Sequence, residues 1–342
     1  MTDRHFSLQW HITNRCDQRC KHCYIYAGNN NECVTKELKW DELQTVLENF
    51  DDMVKKMNIR GCIALTGGDP ILHPDFWKLL SAIKKRGIAV QILGNPFHIN
   101  EDVAKRLYDN GCRMYQMSLD GLRYTHDAIR KIGSFDETMK KIGILNAAGI
   151  KTNIMTTVSR INVDDIPSIV DLIKDKVYAF TFARYCPNEG DADMMLSPDR
   201  YREFLSEMWK KYEECSDSST RFILKDHLWK LFLYENGLYD IRDFNRDNIV
   251  MDGCHCGIAH MTVLENGDVY ACRRCSSLVG NALKDSLYDI FLGDRMEKYR
   301  QFSKFDKCSK CELLYVCRGC PAVSKCATGD FYGIDPQCWK KI

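Results

Sequence analysis

The chain has 342 residues, 45% hydrophobic and 11% aromatic, which supports a large packed core and excludes a disordered chain. Lys and Arg number 48 against 47 Asp and Glu, a net charge of +1 that gives no electrostatic footprint for nucleic acid or an anionic membrane surface. The N-terminus carries no signal-peptide apolar stretch and no run reaches the about 18 apolar residues of a membrane helix, so a cytoplasmic protein is expected.

An apolar run at 6–12 reads as a first strand, and a cysteine-bearing loop follows it. Periodicity over 39–57, with Trp40, Leu43, Val46, Leu47, Phe50 and Val54 on one face, predicts an amphipathic helix. Alternation then continues with strands at 61–66, 88–93, 114–119, 152–158 and 177–183 and helices at 75–85, 101–108, 135–148 and 164–174. Six strands, the first five each followed by a helix, imply α/β architecture: a parallel sheet with helices outside. Eight such units would close a barrel of about 250 residues, so six predict an open, partial (β/α)6 TIM barrel with its chemistry at the C-terminal strand ends. Residues 191–253 read as a helical bridging region whose aromatic positions (Tyr201, Phe204, Trp209, Tyr212 and those in 228–234) are core, with a loop at 216–220. The expected division is therefore a barrel over 1–190, the bridge over 191–253 and a cysteine-rich region over 254–342.

Eighteen cysteines in a cytosolic chain point to metal rather than disulfides. Three lie at 16–23, four at 254–275 and six at 308–338; the scattered Cys33, Cys62, Cys112, Cys186 and Cys215 read as small buried hydrophobes. Cys16, Cys20 and Cys23, spaced x3 then x2 on one loop, can converge on a small inorganic core. Three cysteines leave one iron of a [4Fe–4S] cluster open to a ligand that is not protein. Zinc held by three cysteines and another ligand is the alternative; disulfides would strand one thiol. Farther on, 262–270 reads as a β-hairpin around Asn266-Gly267. It brings the flanking Cys256 and Cys272 side by side, with Cys254 just before Cys256. Cys308-x2-Cys311-x5-Cys317-x2-Cys320 and Cys338 follow, with the two C-x2-C pairs closer together than a zinc ribbon's usual 15–20 residues or so.

C-x3-C-x2-C directly after a first strand resembles the signature of the radical S-adenosylmethionine (SAM) enzymes, in which SAM chelates the open iron. The last 89 residues or so, from Cys254 to Cys338 and including Cys320-Pro-Ala and Asp335-Pro-Gln-Cys338, resemble the SPASM extension that holds two auxiliary [4Fe–4S] clusters. The resemblance implies Cys256, Cys272 and Cys320 on the first auxiliary cluster and Cys308, Cys311, Cys317 and Cys338 on the second. Cys254 is the candidate for the remaining ligand, with Cys275 behind it or the position open; Cys326 has no place in the pattern. Thr66-Gly67-Gly68-Asp69-Pro70 resembles the family's Gly-Gly-Glu-Pro motif, whose backbone carbonyls bind the SAM amino group, with Asp69 in place of Glu. Ser118 and Asp120 resemble its ribose and carboxylate contacts. Arg130 is a candidate for the SAM carboxylate or a solvated helix residue, and Gly94-Asn95-Pro96 faces the same pocket or is a plain loop.

What the resemblance implies is reductive cleavage of SAM to methionine and a 5′-deoxyadenosyl radical that abstracts a substrate hydrogen, with the auxiliary clusters as acceptors of an electron from the product radical. Two-cluster SPASM enzymes often act on ribosomal peptides, forming thioether or carbon–carbon links or oxidising a side chain; others finish small cofactors, including tetrapyrroles and peptide-derived redox cofactors. The sulfatase-maturing members carry a basic Asp after the hairpin's last cysteine; Arg273 and Arg274 stand here, able to clamp a substrate carboxylate or to offset cluster charge. A peptide substrate is the expectation, with a separate protein reading any leader because the first strand begins at once, and with a flavodoxin or ferredoxin as reductant. The competing class is a non-catalytic iron–sulfur electron carrier, which would gain nothing from an open iron.

Overall fold

The structure, a computed structural model, describes residues 5–26, 36–188, 192–241 and 254–342. Cys33 and the end of the expected bridging region lie outside the described residues. The chain runs β1 (His5–Thr13), α1 (Trp40–Met57), β2 (Arg60–Gly67), α2 (Phe76–Lys85), β3 (Ala89–Leu93), α3 (Glu101–Asp109), β4 (Met114–Ser118) and α4 (Arg123–Ile129). It continues through α5 (Ser134–Ala147), β5 (Lys151–Val158), α6 (Ile166–Ile173), β6 (Ala179–Arg184), α7 (Pro198–Glu214), β7 (Arg221–Ile223) and α8 (Leu228–Glu235). The C-terminal part adds β8 (His260–Val263), β9 (Asp268–Tyr270), β10 (Leu278–Asn281), α9 (Leu287–Leu292), α10 (Asp294–Glu297) and α11 (Pro321–Thr328).

Local chemistry sets several boundaries. Asn100 caps α3 by accepting from Val103 N at 2.8 Å, and Ser197 caps α7 by accepting from Arg200 N at 3.2 Å, with Pro198 at the first helical position. The helix α1 stops at Asn58, which takes the left-handed conformation (φ 52°) that Asn tolerates.

The strands form one open sheet in the order β10-β9-β8-β1-β2-β3-β4-β5-β6-β7, parallel from β8 through β7. All six expected strands are present within one or two residues of their expected ends. Two additions went unforeseen. The bridge supplies β7, paired with β6, so the expected loop at 216–220 leads into a strand. The expected hairpin forms as β8–β9, and β8 then pairs in parallel with β1, matching Ser7 to His260 and Trp10 to Val263. The cysteine-rich region is thus hydrogen-bonded into the barrel sheet.

Alternation separates the two faces of the sheet. Leu8, Trp10, Ile63, Leu65, Ile92, Tyr115, Met117, Ile154, Phe180 and Phe182 are buried against the helices, each such side chain contributing roughly 1.5–3 kcal/mol. The expected bridge aromatics join this core: Tyr201, Phe204, Tyr212, Trp229 and Phe232 are buried, with Tyr212 stacked on Phe222 of β7 at 4.4 Å. The opposite face carries polar residues, and the loops at its C-terminal ends hold the chemistry.

Candidate active site

The Cys16, Cys20 and Cys23 loop leaves the C-terminal end of β1 and is strapped to the next strand end. Gly68 N donates to Thr13 O at 2.8 Å and Asp69 N to Arg15 O at 2.7 Å. That approach is why glycines stand there: a Cβ on Gly67 would sit 2.1 Å from Thr13 O and one on Gly68 2.1 Å from Arg15 O. Gly67 also has φ +142°. The Gly-Gly turn and the thiol loop are one unit.

Polar groups surround the three thiols. Gln18 N reaches Cys16 Sγ at 3.4 Å, Asn95 Nδ2 reaches it at 3.2 Å, and Arg130 Nη1 reaches Cys20 Sγ at 3.6 Å. Burial nonetheless pushes the Cys20 thiol up to about 11, with Arg130 opposing the shift, so the metal-free loop holds thiols and a bound metal would have to displace their protons.

Asp69 is fully buried, and neither carboxylate oxygen has a well-directed hydrogen-bond partner. Burial, reinforced by the Asp17 carboxylate, pushes it up to about 7 against the nearby amides of Asn95 and Ile71. Asp17, Asp69 and His98 each bring one atom within 4.8 Å of the others. A buried carboxylate met only loosely by the Asn95 and Ile71 amides keeps acceptor capacity for an ammonium group, so this corner fits the amino end of SAM.

Asp120 is also fully buried but saturated: Arg130 Nε donates to it at 2.5 Å, Thr157 N at 2.9 Å, and His22 Nε2 lies 3.5 Å away. Burial alone would raise it, but Arg130, His22 and the Thr157 amide hold it below the usual carboxylate range. Arg130 caps the C-terminal end of α4 and is buried between Asp120 and Cys20 instead of standing in solvent. Ser118 ends β4 beside this pair and is half-buried.

The C-terminal thiols gather in two groups. Cys308, Cys311, Cys317 and Cys338 line one pocket with Arg318 and Gly319. The tight bend that admits them uses positive φ at Arg318 (68°) and Gly319 (59°), and Gly319 N points at Cys317 Sγ, 3.4 Å away.

The second group is Cys254, Cys256, Cys272, Cys275 and Cys320, around the buried ring of His227, which bonds to Cys254 and Cys320. A hydrogen bond from Cys256, with His227 and Arg318 beside it, holds Cys254 well below a usual thiol; a bond from Cys275 holds Cys272 low and leaves Cys275 high. Cys254 and Cys272 are therefore the thiolate-poised pair.

Two thiols join this nest unexpectedly. Cys186 Sγ (3.7 Å) and Cys326 Sγ (3.4 Å) both donate to Arg274 O. Cys186 is thus not the isolated hydrophobe expected of it, whereas Cys112 and Cys215 are buried as expected and Cys62 is half-buried. Sequence spacing missed Cys186 because its partners lie about 90 and 140 residues away.

The donors gathered in the three groups are thiols, the ligand type of iron–sulfur clusters.

Comparison with known proteins agrees. Residues 10–173 match the radical SAM superfamily and residues 254–312 match SPASM, an iron–sulfur cluster-binding domain. The chain carries a radical SAM domain followed by a SPASM domain, and is an enzyme that uses [4Fe–4S] clusters and SAM. It is 26% identical to the AdoMet-dependent heme synthase of Nitratidesulfovibrio vulgaris, over 97% of this chain and 91% of that protein. It is also 26% identical to the mycofactocin maturase MftC of Mycobacterium ulcerans, over 98% of this chain and 83% of that protein. Its fold matches Streptococcus suis SuiB bound to precursor peptide SuiA with a TM-score of 0.77 at 20% identity, covering 99% of this chain and 76% of that one.

Proposed function

We propose that this chain cleaves SAM reductively and uses the resulting hydrogen abstraction to modify a ribosomally made peptide, by a thioether or carbon–carbon link or a side-chain oxidation. The observation that carries the radical reading is the three-thiol loop pinned to Gly67-Gly68 beside the buried Asp69 carboxylate. When bound, the cluster and SAM supply the 5′-deoxyadenosyl radical. Cys16, Cys20 and Cys23 would hold three irons, and Asn95 and Arg130 direct N–H donors at the Cys16 and Cys20 sulfurs. Asp69 receives the SAM ammonium while Gly67, Gly68 and Pro70 shape the backbone around it. Ser118 and Asp120 flank the rest of SAM, with Asp120 and Arg130 held as an ion pair.

In the C-terminal region Cys254, Cys256, Cys272 and Cys320 take the first auxiliary cluster and Cys308, Cys311, Cys317 and Cys338 the second. The peptide reading is supported by likeness to a maturase and to a fold solved with a precursor peptide. The heme synthase likeness favours a second reading, a tetrapyrrole-type small molecule. A flavodoxin- or ferredoxin-type reductant, a separate leader-binding protein and a cytoplasmic site of action complete the reading; among the described residues no helix is long and apolar enough to cross a membrane.

The test is anaerobic reconstitution with iron and sulfide, reduction, and quantification of 5′-deoxyadenosine from SAM, with a Cys16/Cys20/Cys23→Ala triple variant as control. Formation by the parent chain alone supports the enzyme. None from protein shown to hold its clusters refutes it and leaves an electron carrier. A mass shift in a co-expressed peptide, or in a porphyrin, then separates the two substrates.

A further inference from the structure

The loop after β3 holds one side chain in a fixed place. Gly94 N donates to Gln116 O of β4 at 3.2 Å, and Tyr115 Oη donates to Asn95 O at 3.1 Å. A Cβ on Gly94 would run into that Tyr115 oxygen, so glycine is what lets the two strand ends close on each other. Pro96 restricts Asn95 to extended backbone, and Ile99 N closes a turn on Pro96 O at 3.2 Å. Asn95 is thus anchored on both sides of its Cα, and it is buried.

Its carboxamide reaches two acceptors. Nδ2 lies 3.2 Å from Cys16 Sγ and 3.1 Å from Asp17 Oδ1. A ligating cysteine is a thiolate, so both neighbours only accept, and the two N–H groups rather than the oxygen must face them. Asp17 is itself held, with Lys131 Nζ 3.6 Å and His98 Nε2 3.7 Å from its other oxygen. One N–H therefore orients the amide while the other is aimed at the sulfur. Cys16 also receives Gln18 N at 3.4 Å, and Cys20 receives Arg130 Nη1 at 3.6 Å. The Asn95 contact is the shortest of the three. It comes from a neutral side chain, whereas the charge of Arg130 is already answered by Asp120.

We infer that Asn95 is a positioning residue: it fixes Cys16 and raises the reduction potential of the cluster that Cys16, Cys20 and Cys23 would hold. The inference rests on the reading above that these three cysteines take a cluster. Reduction adds one electron, supplied by the reductant, and part of its charge falls on the sulfurs. An N–H aimed at a sulfur stabilises that reduced state, and hydrogen bonds to sulfur are one of the levers by which a protein sets such potentials. Because the amide is held by Asp17 and its backbone by Tyr115 and Pro96, the donor is in place before the electron arrives.

The test is an anaerobic redox titration of the reconstituted full-length chain, followed by electron paramagnetic resonance. The Cys16/Cys20/Cys23→Ala variant supplies the signal of the remaining clusters, which is subtracted. Asn95→Leu removes both N–H groups at nearly constant volume. Its iron content should match the parent's, and its midpoint should fall by about 59 mV, a tenfold one-electron shift toward the oxidised state. Lys140→Gln, on the exposed side of α5, should leave the midpoint where it is. An unmoved or raised midpoint in Asn95→Leu with full iron overturns the inference. If Asn95→Leu loses the cluster, the parent decides. Grown with asparagine carrying the heavy nitrogen isotope in its carboxamide, its reduced cluster should show a weak coupling to that nitrogen in electron spin-echo modulation, and no coupling overturns the inference. Equal iron in the parent and the triple variant overturns both the inference and the reading it rests on, whereas an unmoved midpoint overturns the inference alone.

Discussion

Arg184 is the residue whose loss should cost the fold most per atom removed. It ends β6, is 1% exposed, and joins all three parts of the chain. Its Nε donates to Asp226 Oδ2 at 3.0 Å; Nη1 and Nη2 each donate to Asp335 at 2.9 Å, a bidentate pair. Asp335 in turn accepts from Cys320 N at 2.7 Å and Gln337 N at 3.0 Å, so the guanidinium anchors the backbone that carries Cys320 and Cys338. Arg184→Met strands two buried carboxylates, and breaking a buried pair costs about 3–5 kcal/mol. With an unfolding entropy of about 2.1 cal/mol/K per residue over 342 residues, that is a drop in Tm of roughly 4–7 °C. Arg200 is the comparison. It pairs with Asp164 at 2.7 Å on the surface, where such a pair is worth about 0–1 kcal/mol, so Arg200→Met should move Tm by about 1 °C or less. Burial would raise Asp226, but Arg184 and His227 hold it below the usual range, so its contribution is present above the unfolded pKa of about 4 and lost in acid. Without Arg184 the deficit should therefore shrink as pH falls and the stranded carboxylates protonate. The assay is thermal unfolding of the metal-free chain from pH 4 to 8, with iron and sulfide content of the reconstituted variant. Equal Tm losses for the two variants, or a deficit independent of pH, would refute the reasoning.

Gly68→Ala drives a Cβ into Arg15 O and should displace the Cys16–Cys23 loop; reconstituted protein should lose about a third of its iron and all SAM cleavage, while normal iron content would contradict the strap. Asp69 is raised to about 7, so the metal-free chain should lose stability as pH rises from about 4 through 7, and Asp69→Asn should flatten that slope in pH-dependent unfolding. The same substitution should weaken SAM binding tenfold or more above pH 7, read by equilibrium dialysis. Cys186 and Cys326 spend their S–H groups on Arg274 O, so Cys186→Ser/Cys326→Ser should retain full iron, whereas Cys272→Ser should not; iron loss in the double variant would make those thiols ligands.

Local signals carried most of the barrel. Apolar runs and helical periodicity sufficed for β1 to β6 because each is buried on its outer face by its own neighbouring helix. What failed to show was nonlocal or short. The strand β7 is three residues long, and it is fixed by Phe222 stacking on Tyr212 rather than by any pattern of its own. Arg130 was equally readable as a solvated residue, because only folding brings Asp120 and Cys20 to it. The motif cysteines were legible from spacing, but Cys186 meets Cys326 only after β6 and α11 have docked.

The pairing of β8 with β1 brings two cysteine sets far apart in sequence to one end of the sheet. Both strands run the same way, so the loops after them emerge side by side. Asn14, after β1, donates to Glu265, after β8, at 2.7 Å in the buried interior, and Leu38 N donates to Glu265 O at 2.9 Å. The Cys16–Cys23 loop and the hairpin bearing Cys272, Arg273 and Arg274 are thus held in register by main-chain hydrogen bonds, which resist bending far better than side-chain contacts across a domain boundary. On the proposed function, a substrate lying between them would face the Cys16–Cys23 loop on one side and the Cys272 thiol on the other. An Asn14→Leu variant should leave Glu265 with its buried partner removed, at a cost of about 1–3 kcal/mol. It should also uncouple the two halves: SAM cleavage persisting while product formation falls would follow from this geometry, and equal loss of both would count against it.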